Sequence, residues 1–201
     1  IDAPEDMRHV AMLQVVCASA HFEVLDPRRA RLRAGGGLLR GEALSFPYYR
    51  HAGMTAWVQD VVDRHSPSVG LAFSSQVAPY LTGVGGPAMR RIIDFVDVDS
   101  DKWAQFADSQ RFPKSWLYQR EARLLAAAEK QLAAQADTCL FVSEAEAALF
   151  RRRTGFGEDK VKSVGNGVDL DGFSPDLPHI NPYRAAGAAP VIVFTGAMDY
   201  W

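Results

Sequence analysis

Residues 137–175, DTCLFVSEAEAALFRRRTGFGEDKVKSVGNGVDLDGFSP, constrain the fold more than any other part of this chain. Thr138 to Val142 is a short apolar run of strand-forming residues, and Lys160 to Val164 is a second. Between them, Ser143 and Glu146 stand at capping-box spacing, in which the serine hydroxyl and the glutamate carboxylate each satisfy an amide of the first turn. A helix therefore opens at Ser143. Arg151, Arg152 and Arg153 fall where cations complement the negative end of the helix dipole, and Gly155 is placed for the left-handed residue that ends it. Strand, crossover helix and strand within about thirty residues make a βαβ unit, whose strands are parallel. Their following loops gather at one edge, where open α/β sheets bind ligands. The polar loop Gly165-Asn166-Gly167-Val168-Asp169 is delivered to that edge.

Upstream, Asp2, Pro4 and Glu5 predict a helix from Asp2 to Ala20, with Met7, Val10, Ala11, Leu13 and Cys17 close to one face. Phe22 to Leu25 reads as a strand ended by Asp26-Pro27. Arg28, Arg29, Arg31, Arg33 and Arg40, with leucines and Gly35-Gly36-Gly37 among them, admit two readings. The commoner is a solvated helix face and a mobile loop; the other is a basic surface for anionic lipid or a polyprenyl-phosphate. Ala52 to Arg64 has helical spacing, with Trp57 expected in the core, and Val69 to Phe73 reads as a buried strand. Arg91 to Val96 is a further β-rich run. Pro113 to Ala136 is a long helix with Leu117, Leu124, Leu125, Ala128 and Leu132 on its apolar side, and Glu121, beside Arg120 and Arg123, reads as a surface ion pair.

The 201 residues are 48% apolar and 23% charged, an ordinary globular balance sufficient for one well-cored domain. A net charge of -2 argues against a dedicated nucleic-acid binder. No apolar run approaches the ~18 residues of a membrane-spanning helix, and no signal-peptide pattern precedes Ile1. Cys17 and Cys139 make neither a disulfide framework nor a metal site, which makes a reduced cytoplasm the simplest home. Asp97, Asp99 and Asp101 stand at alternate positions and invite a metal. An EF-hand loop fails, because its glycine and glutamate places hold Lys102 and Asp108.

The strand leading into Val142-Ser143-Glu144, the loop Asn166-Gly167-Val168-Asp169, the run Phe173-Ser174-Pro175 and an apolar strand into Phe194-Thr195-Gly196-Ala197-Met198-Asp199-Tyr200-Trp201 together resemble the middle of a retaining GT-B glycosyltransferase. The pattern is similar to the sugar transferases of bacterial exopolysaccharide and PEP-CTERM export systems. These also carry a stretch like Asp94-Phe95-Val96-Asp97-Val98-Asp99-Ser100, and many have proline where this chain has Gly165.

The resemblance implies a doubly wound, parallel, Rossmann-like α/β sheet forming the acceptor-side, N-terminal half of the enzyme. Residues 1–175 would be that domain, lacking its first strand, 176–189 the interdomain linker, and 190–201 the first strand of a truncated nucleotide-sugar domain. The implied reaction moves a hexose from a nucleotide-sugar to a glycan or lipid-linked acceptor, with retention and without a metal or other cofactor. The fragment alone is expected to be inactive. The implied catalytic residues are Asp97 and Asp99; Lys102, Ser143, Glu144 and Glu121 would face the acceptor, and Asn166, Gly167, Asp169, Gly196 and Asp199 the donor cleft. Ser74-Ser75-Gln76 would either touch a sugar or cap the short helix Val77 to Leu81, the commoner arrangement, and Asp99 or Ser100 would cap the helix from Asp101 onward as readily as act in the site. A cytoplasmic location follows, with peripheral membrane contact through the arginines if the basic surface is real. Two other classes stay open. Asp97 and Asp99 could form the metal motif of a GT-A glycosyltransferase, or the chain could be a non-catalytic Rossmann-like binding module.

Overall fold

The structure, a computed structural model, describes residues 4–174, 176–178 and 191–194. The chain divides into two compact units, residues 1–165 and 166–201.

The first unit is an α/β layer structure. Helices α1 (Val10–Val16), α2 (Pro27–Arg40), α3 (Ser45–Tyr49) and α4 (Ala52–His65) precede β1 (Val69–Phe73). β2 (Arg90–Val96), α5 (Asp99–Ser109), α6 (Lys114–Gln135), β3 (Thr138–Phe141), α7 (Glu144–Thr154) and β4 (Val161–Ser163) follow. The four strands are all parallel, in the order β1-β2-β3-β4. This is the Rossmann-like α/β architecture expected, and the described strands run in one winding direction. Right-handed crossovers wound one way put their helices on one face of the sheet. The core accordingly sits there: Ala72, Ile93, Cys139 and Val161 lie in register across the strands and pack with Val62 of α4, Leu132 of α6 and Phe150 of α7. Phe95, Phe141 and Phe150 form an aromatic cluster, with centroids 4.8 to 5.4 Å apart. Burial pushes the Cys139 thiol up to about 12, so it packs as an apolar group.

The strands and helix of the βαβ unit form where the spacing puts them, but only half of the capping box does, because the Glu146 carboxylate accepts from the Val98 amide rather than from that of Ser143. Ser143 caps α7 by accepting from the Glu146 amide at 3.2 Å, and Gly155, at φ +82°, ends it. Elsewhere the structure corrects the pattern. Asp2 lies outside the described residues; a 3₁₀ turn at Pro4–His9 leads into α1, none of whose residues is buried. Leu13 is 38% and Met7 50% exposed and only Val10 is half-buried, so the expected apolar face is largely exposed instead of packed. Residues 22–25 form no strand. β1 is buried on one face only, leaving Leu71 and Phe73 63% and 66% exposed, because no described helix covers the other face. Trp57 is half-buried and stacks on His21 at 5.5 Å instead of entering the core.

The glycine run is helix, not loop. Asp26 caps α2 by accepting from the Arg28 and Arg29 amides, and Gly41, at φ +72°, closes it beyond Gly35 to Gly37. Gly37 is required by contact: a Cβ there would stand 2.7 Å from Cγ of buried Pro47 in α3. A Cβ on Gly36 would meet nothing within 4 Å. Adjacent alanine substitutions should therefore act oppositely. Gly36→Ala is expected to stabilise by ~0.5–1 kcal/mol through helix propensity, and Gly37→Ala to destabilise by ~1–3 kcal/mol through overpacking. Urea-unfolding midpoints of the two variants check both signs.

Candidate functional site

The carboxyl ends of β1 and β2 bring a polar network together. Both ends bend through left-handed backbone: Ser74, just past β1, has φ +85°, and Val96, closing β2, has φ +68°. Asp94 supports the second bend, its Oδ1 accepting from the Val96 amide at 3.0 Å. The bends converge Ser75 and Gln76 on Asp99. Oδ2 of Asp99 accepts from Ser75 Oγ at 3.1 Å and from Gln76 Nε2 at 2.8 Å. Its Oδ1 lies 3.6 Å from Lys102 Nζ, which also stands 3.3 Å from Asp97 Oδ2. Burial pulls the Lys102 ammonium down, but the two carboxylates more than reverse this and hold it above the usual lysine value. Asp99 is 17% exposed and Asp97 38%, so Asp97 is the carboxylate open to a ligand.

Neither expected capping role is realised. The 3₁₀ turn at Ala78–Tyr80 has no side-chain cap, and α5 starts at Asp99 with none of its own. The amides at the start of α5 are served from other elements. Glu146 Oε2 of α7 accepts from the Val98 amide at 2.8 Å. Glu129 of α6, only 2% exposed, accepts from the Ser100 amide at 2.9 Å and the Ser100 hydroxyl at 2.6 Å.

Ser143 and Glu144 stand at the end of β3. The Ser143 hydroxyl caps α7, and Glu144 pairs with Arg151 and accepts from Ser163 Oγ at 3.1 Å. The Arg151 hydrogen bond, with help from Ser163, holds the Glu144 carboxyl below the usual range. Glu121 is no surface ion pair. It is 1% exposed and caps α3, accepting from Leu44 N at 2.8 Å, Ser45 N at 3.1 Å and Ser45 Oγ at 2.7 Å. In the second unit, Asn166 and Gly167 are exposed, and Asp169 Oδ1 caps a turn by accepting from the Asp171 and Gly172 amides. Gly196 and Asp199 lie outside the described residues.

The arrangement thus unites Asp97, Asp99 and Lys102 and adds Ser75 and Gln76. Among the described residues no three His, Cys, Asp or Glu side chains form a metal-binding group. The Asp97–Asp99 pair converges on an ammonium. Glu129 escaped the sequence reading, although it shares a helical stripe with Glu121, Leu125 and Leu132. Of the five arginines, Arg33 is committed to the Pro47 and Tyr48 carbonyls at 3.2 and 3.1 Å, while Arg28, Arg29, Arg31 and Arg40 are exposed.

Residues 78–172, from the turn after β1 through the Asp169 turn, match the model of Glycosyltransferase Family 4. That family consists of glycosyltransferases of GT-B type, whose Rossmann-like fold agrees with the parallel α/β sheet seen here, and its model matches just under half of the chain. Such enzymes act on sugar donors and acceptors. No curated protein and no solved structure matches the chain. Among the described residues no helix is long and apolar enough to cross a membrane.

Burial holds the Glu129 carboxyl above the usual glutamate range, despite the Ser100 hydrogen bonds that favour its charged form. The folded chain therefore keeps this proton to higher pH than the unfolded chain does. As pH rises through the ordinary glutamate value towards the raised one, the contribution of this group to stability falls. Glu129→Gln can still bond Ser100 and carries no charge. It should remove the decline in urea-unfolding free energy that sets in as pH rises through the ordinary glutamate value, about pH 4.

Proposed function

We propose that the protein is a hexosyltransferase of the GT-B type, of which the described sheet is the acceptor-side domain. It moves a sugar from a nucleotide-sugar to a glycan or lipid-linked acceptor, with retention of configuration, in exopolysaccharide or cell-envelope synthesis. The observation that carries the reading is the Ser75–Gln76–Asp99–Lys102–Asp97 network at the carboxyl edge of a parallel sheet. In open α/β sheets that edge takes the ligand.

In this reading Asp97, the more exposed carboxylate, accepts a hydrogen bond from the acceptor hydroxyl and orients it for transfer. Asp99 positions Lys102, and Lys102 stabilises negative charge on the incoming donor. Asn166, Gly167, Asp169, Gly196 and Asp199 border the donor, and Ser143 and Glu144 the acceptor. Residues 176–189 link to a nucleotide-sugar domain that opens at 190. The charge developing on the leaving diphosphate is met by that domain's amides and basic side chains. The exposed arginines of α2 suit peripheral contact with an anionic membrane on the cytoplasmic side.

The test uses the protein expressed from its complete gene, with radiolabelled UDP-, GDP- and dTDP-hexoses and envelope glycan or lipid extracts as acceptors. Transfer that resists EDTA and falls about 10²–10⁴-fold in kcat in Asp97→Asn is expected. Absence of transfer from every donor would indicate a non-catalytic binding module. Transfer that needs Mn²⁺, with metal binding abolished by Asp97→Asn, would establish the metal-dependent alternative.

A further inference from the structure

Beside the network lies a cavity of about 320 Å³, within the ~300–1,000 Å³ range of small-molecule sites. Its walls include Tyr48 and Tyr49 of α3, Trp103 of α5 and Tyr118 of α6, with Gln76 and Glu121 in the lining. The aromatic rings form two edge-to-face pairs, Tyr48–Tyr49 and Trp103–Tyr118, each with centroids 5.0 Å apart.

The walls are pinned. Glu121 holds the start of α3 through three hydrogen bonds. Arg33 donates to the Tyr48 carbonyl at 3.1 Å, and the Tyr80 hydroxyl donates to the Tyr49 carbonyl at 2.6 Å. Glu129 holds the start of α5, one turn before Trp103. A cavity whose walls are fixed before binding loses little entropy when it is filled.

Its chemistry is amphipathic. The rings offer apolar faces, while the Tyr48 and Tyr118 hydroxyls make no hydrogen bond to other described residues. Gln76 brings a carboxamide whose Nε2 already grips Asp99 at 2.8 Å. Among the described residues no cation lines the cavity, and Glu121, the one charged residue among those that do, already accepts three hydrogen bonds through its two oxygens. A phosphate or other anion finds no partner there. The Gln76 Oε1 accepts from Ser74 Oγ, so a wholly apolar chain would leave the two phenols without partners while the amide keeps both of its own. A pyranose ring satisfies both halves, with its C–H face against the aromatic rings and its hydroxyls on the phenols and the amide.

We propose that this cavity is a saccharide-binding site that seats a sugar ring of the acceptor, with Gln76 linking the seated ring to Asp99. The binding itself stands on the cavity, while its role as an acceptor seat rests on the transferase reading above.

The experiment is saturation-transfer-difference NMR on the 201-residue chain without donor. The probes are the methyl glycosides of glucose, galactose, mannose and N-acetylglucosamine, with uridine and geranyl phosphate as controls. At least one glycoside should show transfer to its ring protons, weakened at least tenfold in dissociation constant by Tyr48→Phe with Tyr118→Phe, which delete only hydroxyls, and by Trp103→Ala. A thermal melt of each variant confirms folding, and if Trp103→Ala fails to fold the hydroxyl deletions decide. The proposal is overturned if all four glycosides are silent, if the folded variants bind as wild type does, or if only uridine or geranyl phosphate binds in a way these variants abolish. Sugar transfer by the complete protein that the cavity variants leave unchanged would remove the cavity and leave the transferase reading standing.

Discussion

Two buried carboxylates on α6 hold the first unit in the shape that makes a site possible. Glu121 and Glu129 lie eight residues apart, on the same face of the helix, at 1% and 2% exposure. Each accepts backbone and hydroxyl donors at the start of another helix, Glu121 at α3 and Glu129 at α5. A buried carboxylate without such partners would be strongly unfavourable, so the three helices are mutually required. Negative charge at helix N-termini also suits the helix dipoles. Through these contacts one long helix sets the placement of Tyr48 and Tyr49 on one side and of Asp99, Lys102 and Trp103 on the other.

The strand ends supply the second constraint. A β-branched residue with φ +68°, as at Val96, costs on the order of 1–3 kcal/mol, and Ser74 at φ +85° is similarly uncommon. The bends persist because neighbouring bonds over-determine them. The Ser74 amide donates to the Asp94 carbonyl at 2.7 Å while the Asp94 side chain accepts from Val96. Adjacent parallel strands that ended straight would send Ser75 and Asp99 away along the strand direction. Bent, they meet across the top of the sheet.

What was legible in the sequence was local. The Ser143 cap, the Gly155 stop and the two flanking strands of the βαβ unit form where spacing put them, because each is decided within a few residues. Non-local decisions were not legible. Glycines at 35–37 read as a mobile loop, yet Asp26 and Gly41 bound a helix through them and the packing of Pro47 selects one of them. Leu71 and Phe73 read as core because they are apolar, but which face is covered depends on the winding of the whole sheet. Glu121 beside Arg120 and Arg123 read as a surface pair. Only the approach of α3, seventy-six residues away along the chain at Ser45, makes it a cap. In the candidate site, the Asp97–Asp99–Lys102 trio was visible from spacing alone, and its Ser75–Gln76 grip was not.

The use of Glu146 explains why Asp99 can serve the site. Sequence spacing assigns the Glu146 carboxylate to the amide of Ser143, completing a local capping box. Instead it crosses to the Val98 amide, ahead of α5. Glu129 takes the next free donors, the amide and hydroxyl of Ser100. With the start of α5 served from α6 and α7, neither Asp99 nor Ser100 need turn back on its own helix. Asp99 is thereby released to face Ser75, Gln76 and Lys102, and Asp97, one residue ahead of Val98, shares the same ammonium. Capping and site chemistry compete for the same carboxylates at the end of β2. Distant glutamates settle that competition in favour of the site, and the same two contacts tie β2 and α5 to α6 and α7.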